Sequence, residues 1–270
     1  MCTRNALTLA AWFVMAALPG WSEAAPVPLV RAHAHNDYVH ERPLLDALDC
    51  GFCSVEADIH LVDGELLVAH DRHQCTPQRT LEKLYLEPLR ARAQQYAGRI
   101  YPDGPPFTLL IDIKSSGEPT YAALDKVLAS YADIFTKFEG DAVEERAVVA
   151  LISGNRPVKT ITEQAVRYAA LDGRPPDLAR KPPVHLVPLI SSSWGGLFAW
   201  RGWGEMPADE LAKLQRMVEQ AHAQGRRIRF WALPVGKQVW PTVYEAGVDL
   251  INADNLEALQ AFLLERCEGK

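Results

Sequence analysis

Short β-branched or apolar runs alternate along this chain with longer segments of helical period, and this rhythm constrains the fold more than any single motif does. Eight runs read as strands, over residues 29–35, 54–59, 65–70, 108–113, 147–152, 185–190, 228–233 and 248–253. Helical stretches fall between them at 43–48, 81–96, 121–138, 158–170, 208–224, 238–245 and 256–264. The alternation breaks once, where Val62-Asp63-Gly64-Glu65 reads as a tight turn between the second and third strands. Eight strands with intervening helices favour a closed barrel over an open doubly wound sheet, and continuous apolar runs suit strands covered on both faces. The expected fold is therefore α/β, a single TIM-type (β/α)8 barrel. Gly173-Arg174-Pro175-Pro176-Asp177 and Lys181-Pro182-Pro183 read as surface loops, because paired prolines cannot continue a helix.

The barrel does not account for the amino terminus. Arg4 precedes an apolar run from Ala6 to Leu18, and the small residues Ser22, Ala24 and Ala25 follow. That is the layout of a secretory signal over residues 1–24, cleaved near Ala24, with the barrel domain occupying 25–270. The run is shorter than the ~20 residues that span a bilayer, so an anchor is the weaker reading. A secreted or periplasmic location follows as an expectation. Roughly 245 residues then remain, within the range of one such barrel. Cys50, Cys53, Cys75 and Cys267 would meet an oxidising compartment, where four thiols allow three pairings, although a buried free thiol also suits Cys50 or Cys53 at a strand entry. Their spacings do not fit a zinc site. Net charge is -6 with no basic cluster, which excludes a nucleic-acid footprint.

Active sites in such barrels lie at the carboxyl ends of the strands, and polar residues gather there. The first strand ends in His33-Ala34-His35-Asn36-Asp37, the second carries Glu56 and Asp58, the third ends in His70-Asp71, and the fourth carries Asp112 and Lys114. Side chains alternate along a strand, so Glu56 faces the same side as Asp58, and Asp112 the same side as Lys114. Three carboxylates facing one another demand a cation. Oxygen-only ligation suits a hard divalent metal, Mg²⁺ or Ca²⁺, although the same residues with Lys114 can also form a metal-free ion-pair network. Histidines on neighbouring strands beside carboxylates read as acid and base, here His35 and His70. His33, on the face of His35, is either a hydrogen-bond support or a packing residue. His40, His60, His73, His185 and His222 take loop, surface or supporting places. Asn36 and Asp37 either touch substrate or cap a turn. Trp194, Trp200 and Trp203 pack into the fold or form an apolar lip.

The order His, E-x-D about twenty residues on, DG, HD and D-x-K resembles glycerophosphodiester phosphodiesterases and their sphingomyelinase D-like relatives. The opening HAHNDY is more specifically similar to the branch related to altered inheritance of mitochondria protein 6. RIRFWALP and GVDLINADNLEALQAFL resemble the closing strands of that superfamily, so the likeness covers most of the mature chain. It implies a barrel of the phospholipase-C-like phosphodiesterase type. It further implies metal ligation by Glu56, Asp58 and Asp112, catalysis by His35 and His70, Lys114 near the phosphate and Trp231 as a pocket wall. HNDY replaces the usual HRG of the family with no following ENT, and the third carboxylate is Asp, as on the sphingomyelinase D side.

The implied activity is metal-dependent hydrolysis of glycerophosphodiesters or of (lyso)phospholipid headgroups. A neighbouring hydroxyl of the substrate attacks to give a cyclic phosphate, with the two histidines as base and acid. The implied partner is a small-molecule or lipid phosphodiester met by a monomer, with transient contact at a membrane surface. Two rivals stand beside this. His33-Ala34-His35 resembles the HxH metal pair of amidohydrolase and PHP-type barrels, which makes His33 a ligand. Alternatively the barrel is an inactive module that binds phosphate or metal.

Overall fold

The computed structural model describes residues 26–268, and the leader expected over residues 1–24 lies outside them. Eight parallel strands close into a barrel: β1 (Ala32–Ala34), β2 (Ser54–Val62), β3 (Phe107–Ile113), β4 (Val148–Gly154), β5 (Ala169–Gly173), β6 (Leu189–Ser193), β7 (Arg227–Trp231) and β8 (Leu250–Ala253). Closure comes from β1, which pairs with β8 through His33 opposite Asn252 and with β2 through Ala34 opposite Val55. No helix among the described residues is long and apolar enough to cross a membrane.

The expected count of eight is right, but one member is exchanged. Glu65–Val68 is no barrel stave: it folds back antiparallel on the end of β2, with Val62 opposite Glu65. Asp63 and Gly64 both have positive φ, 52° and 89°, which is the mirror-image turn that joins twisted antiparallel strands most tightly. The missing stave is β5, whose first two residues the sequence reading put at the end of a helix over 158–170 and whose Gly173 it put in a loop. That helix stops at Glu163, and Val166–Arg167 pairs instead into a small three-stranded sheet with Lys137–Glu139 and Ala142–Glu144. The helix expected over 121–138 is likewise Gly117–Ser130, since Phe138 belongs to that sheet. Arg174–Pro176, read as a loop, opens the short helix Pro175–Arg180, where proline fits the first turn because its missing N–H would be unpaired there anyway.

Alternation along the staves divides the inner side of the barrel into layers. Leu110, Leu151, Ala170, Leu189 and Leu250 form a buried apolar cluster. Two residues further along the same strands, towards the carboxyl ends, stand Asp112, Ser153, Asp172, Ser191 and Asn252. An apolar floor thus carries a polar layer, and burial strengthens every electrostatic contact made on it. Cys50, Cys53, Cys75 and Cys267 are all free thiols, and burial pushes that of Cys53 up to about 12.

Candidate active site

The carboxyl ends of β1 to β4 and β7 surround an open pocket of about 520 Å³ lined by His35, Asn36, Glu56, His70, Asp112, Lys114, Arg174, Arg229 and Trp231. Register places the acids: Asp58 lies opposite Asp112 across β2 and β3. Ligand oxygens of Glu56, Asp58 and Asp112 lie within 4.8 Å of one another. Asp58 is fully buried, and its Oδ1 has no hydrogen-bond partner among the described residues. A buried carboxylate oxygen left bare beside two other acids is what a cation would satisfy, so these residues fit a hard divalent ion.

Lys114 gives part of that charge balance, its Nζ lying 3.1 Å from Asp58 Oδ2 and 3.3 Å from Asp112 Oδ1. Burial alone would lower the Lys114 ammonium, but the two aspartates outweigh it and hold it above its ordinary value. Asp112 is raised, first by burial and then by the charges of Asp58 and Glu56, against the opposing pull of Lys114. Glu56 goes the other way. Burial would raise its carboxyl, yet Arg229, 3.5 Å away, and His33 hold it below the usual carboxylate range.

Both proposed catalytic histidines reach the pocket, and each is oriented by a carboxylate. His35 Nδ1 donates to Asp254 Oδ1 at 2.8 Å, because a carboxylate can only accept, and this leaves Nε2 bare, 4.0 Å from Glu56. His70 Nδ1 donates to Asp58 Oδ2 at 2.9 Å, which again frees Nε2. His60 Nε2 lies 3.1 Å from the His70 carbonyl and steadies that strand end. The Tyr38 hydroxyl stands 2.7 Å from both Asp58 Oδ2 and Asn36 Oδ1, joining the first loop to the acid cluster.

His33 does not serve as a metal ligand. It is fully buried, its Nδ1 donates to Ser54 Oγ at 2.7 Å, and its Nε2 accepts from Arg229 at 2.6 Å, so the lone pair is already used. Burial, then Arg229, push its pKa down to about 4 and keep it neutral. This geometry removes the HxH rival. Asn36 and Asp37 divide the two roles open to them. Asn36 lines the pocket in a left-handed conformation, φ 50°, that Asn tolerates better than most residues, while Asp37 turns inward and holds the Leu44 N–H at 2.6 Å. Trp194 and Trp200 pack into the core beside Phe198 and Phe230, leaving Trp203 exposed, whereas Trp231 walls the pocket as the resemblance implies.

Sequence reasoning missed Arg229, Arg174, Asp254 and Tyr38. Arg229 had a readable signal, since it lies two residues before Trp231 on the same strand and must share its face. Asp254 had none, because only closure of the barrel brings the end of β8 to His35.

A family model described as AIM6-like phosphodiesterase domain matches residues 23–172. Altered inheritance of mitochondria protein 6 of Eremothecium gossypii is 30% identical over 90% of this chain and 73% of its own length. A homolog of that protein in Arthroderma benhamiae is 26% identical over 88% of this chain and 84% of its own length. Among solved structures, a glycerophosphodiester phosphodiesterase from Parabacteroides distasonis superposes with a TM-score of 0.57 at 16% identity, covering 90% of this chain and 100% of that one. One from Agrobacterium tumefaciens gives 0.50 at 16% identity, covering 86% and 98%. At such identities these two structures share the barrel with this chain.

Proposed function

The chain belongs to the AIM6-like phosphodiesterase domain family, and from that premise we propose that it is a divalent-metal-dependent phosphodiesterase acting on glycerophosphodiesters or lysophospholipids. The observation that carries this reading is two histidines, each held through Nδ1 by a carboxylate, facing one acid triad in one pocket. Bound to Glu56, Asp58 and Asp112, Mg²⁺ or Ca²⁺ would polarise a nonbridging phosphate oxygen. The protein supplies the rest. Lys114 offers fixed positive charge at the phosphate, and Arg229 keeps Glu56 ionised. One bare Nε2 takes the proton of an attacking substrate hydroxyl as its oxygen bonds to phosphorus. The other histidine enters the step as an imidazolium, protonated at Nε2, and gives that proton to the departing alcohol as its bond to phosphorus breaks, which leaves a cyclic phosphate and a free alcohol. Trp231 closes one side of the site. The leader that the sequence implies over 1–24 supports action outside the cytoplasm, where the proposal has a monomer meet its substrate free or at a membrane surface.

The test is turnover of glycerophosphocholine and lysophosphatidylcholine by the mature protein with Mg²⁺, Ca²⁺, Mn²⁺ or EDTA, with products followed by ³¹P NMR. A cyclic phosphate formed only with metal is expected. His35→Ala and His70→Ala should each lower kcat/KM by roughly 10²- to 10⁴-fold. No turnover with any metal would replace this reading with that of a binding module.

A further inference from the structure

A second pocket of about 400 Å³ opens beside the first, between the segment that follows β7 and the end of β8. It shares His35 and Ala232 with the phosphate pocket, so a substrate held at His35 continues directly into it. Its walls are apolar, from Leu233, Pro234, Val239 and Trp240. Polar side chains also line it, His35, Lys237, Asp254 and Asn255 towards solvent and Asn252 alone buried. Asn252 lines the pocket at 7% exposure, and neither its Nδ2 nor its Oδ1 has a hydrogen-bond partner among the described residues. An amide that is buried with both ends unpaired is costly in a folded protein, and a ligand carrying a donor and an acceptor would satisfy it.

From these observations we propose that this pocket receives the uncharged, acyl- or alkyl-bearing alcohol of the diester, with Asn252 reading its hydroxyl or ester oxygen. The proposal rests on the phosphodiesterase reading and names which side of the diester lies where. Charge decides against a cationic headgroup here. The two charged side chains lining the pocket, Asp254 and Lys237, offset one another, so no net negative charge recruits an ammonium against these apolar walls. The rim suits a chain that leaves the pocket. Val235 is 96% exposed and Trp203 67%, and the backbones of their neighbours Gly236 and Gly202 touch so closely that a Cβ on Gly236 would lie 2.3 Å from the Gly202 carbonyl oxygen. The two segments thus meet at their backbones, and each carries an exposed apolar residue next to that contact, as at surfaces that meet an apolar partner.

Binding of 1-monooctanoylglycerol, an uncharged probe with no phosphate, tests this by titration calorimetry below its aggregation concentration. Wild-type protein should bind one equivalent saturably. Asn252→Leu and the half-exposed Leu233→Asp should each weaken binding roughly tenfold or more, the second variant guarding against misfolding of the first. Wild-type kcat/KM should favour lysophosphatidylcholine over glycerophosphocholine at least tenfold, a preference that Leu233→Asp narrows. No saturable binding to wild-type protein, or equal binding by both variants, overturns the proposal. Intact binding without turnover of any diester overturns the phosphodiesterase reading and leaves the pocket's occupant established.

Discussion

Asp37 shows how far a local sequence signal reaches. Its side chain is fully buried, Oδ2 accepts from the Leu44 N–H and from the Tyr85 hydroxyl at 2.9 Å, and Oδ1 has no partner. Burial is the main cause that pushes its pKa up to about 7; the two hydrogen bonds oppose it and the charge of Asp46 adds to it. An unfolded aspartate titrates near 4, so between about pH 4 and 7 the folded state holds the extra proton and stability falls as pH rises. The penalty is absent below the unfolded value and complete above the folded one, at roughly 4 kcal/mol as an upper figure. Asp37→Asn should flatten this slope, leaving stability at pH 4 little changed and raising it at pH 8 by about 2 kcal/mol or more. Urea unfolding at both pH values decides; an unchanged slope would show that the proton resides elsewhere. The Asn-Asp pair announced a turn or a substrate contact, and only burial of Asp37 and the place of Asn36 in the pocket wall assigned those roles.

At the scale of elements, the end of β4 fixes the third acid of the site. Gly154 has φ 66°, and a Cβ there would lie 2.2 Å from Asp112 Oδ1 and 2.5 Å from the Ile113 carbonyl oxygen. Gly154→Ala should therefore cost about 1–3 kcal/mol and displace Asp112. Gly140→Ala is the matched control: its φ is 57°, but a Cβ would meet nothing within 4 Å, so only the left-handed backbone cost of about 1 kcal/mol applies. Thermal melts of the two variants separate clash from conformation, and equal losses would refute the steric account. Elements were legible where their cause was local. Asp63-Gly64 predicted its turn, and the helix over 208–224 forms as Ala208–His222. β5 was not legible, because Ala169–Gly173 is a short run without alternation that becomes a strand only by pairing with β4 and β6. Val158–Glu163 directly before it does have a helical period.

Across the whole molecule, the acid triad links folding to metal. An ion that binds the folded chain alone adds RT ln(1 + [L]/Kd), about 2.7 kcal/mol at a hundredfold excess over Kd, or several degrees in Tm for a barrel of this size. Millimolar Mg²⁺ or Ca²⁺ should raise the Tm, EDTA should reverse the rise, and Asp112→Asn should abolish it; a Tm indifferent to both ions would leave the triad as an ion-pair network with Lys114. By itself the sequence determined the barrel class and that Glu56, Asp58, Asp112, Lys114, His35 and His70 gather at one end of it, because strand alternation and polar strand ends are properties of neighbouring residues. The tertiary structure alone decided that Arg229 occupies His33 and holds Glu56 ionised, that Asp254 orients His35, and that Asn252 faces a second pocket. Each of those contacts joins residues about 170 or more positions apart or lies where β8 closes on β1, and only closure of the barrel brings such groups within reach of one another.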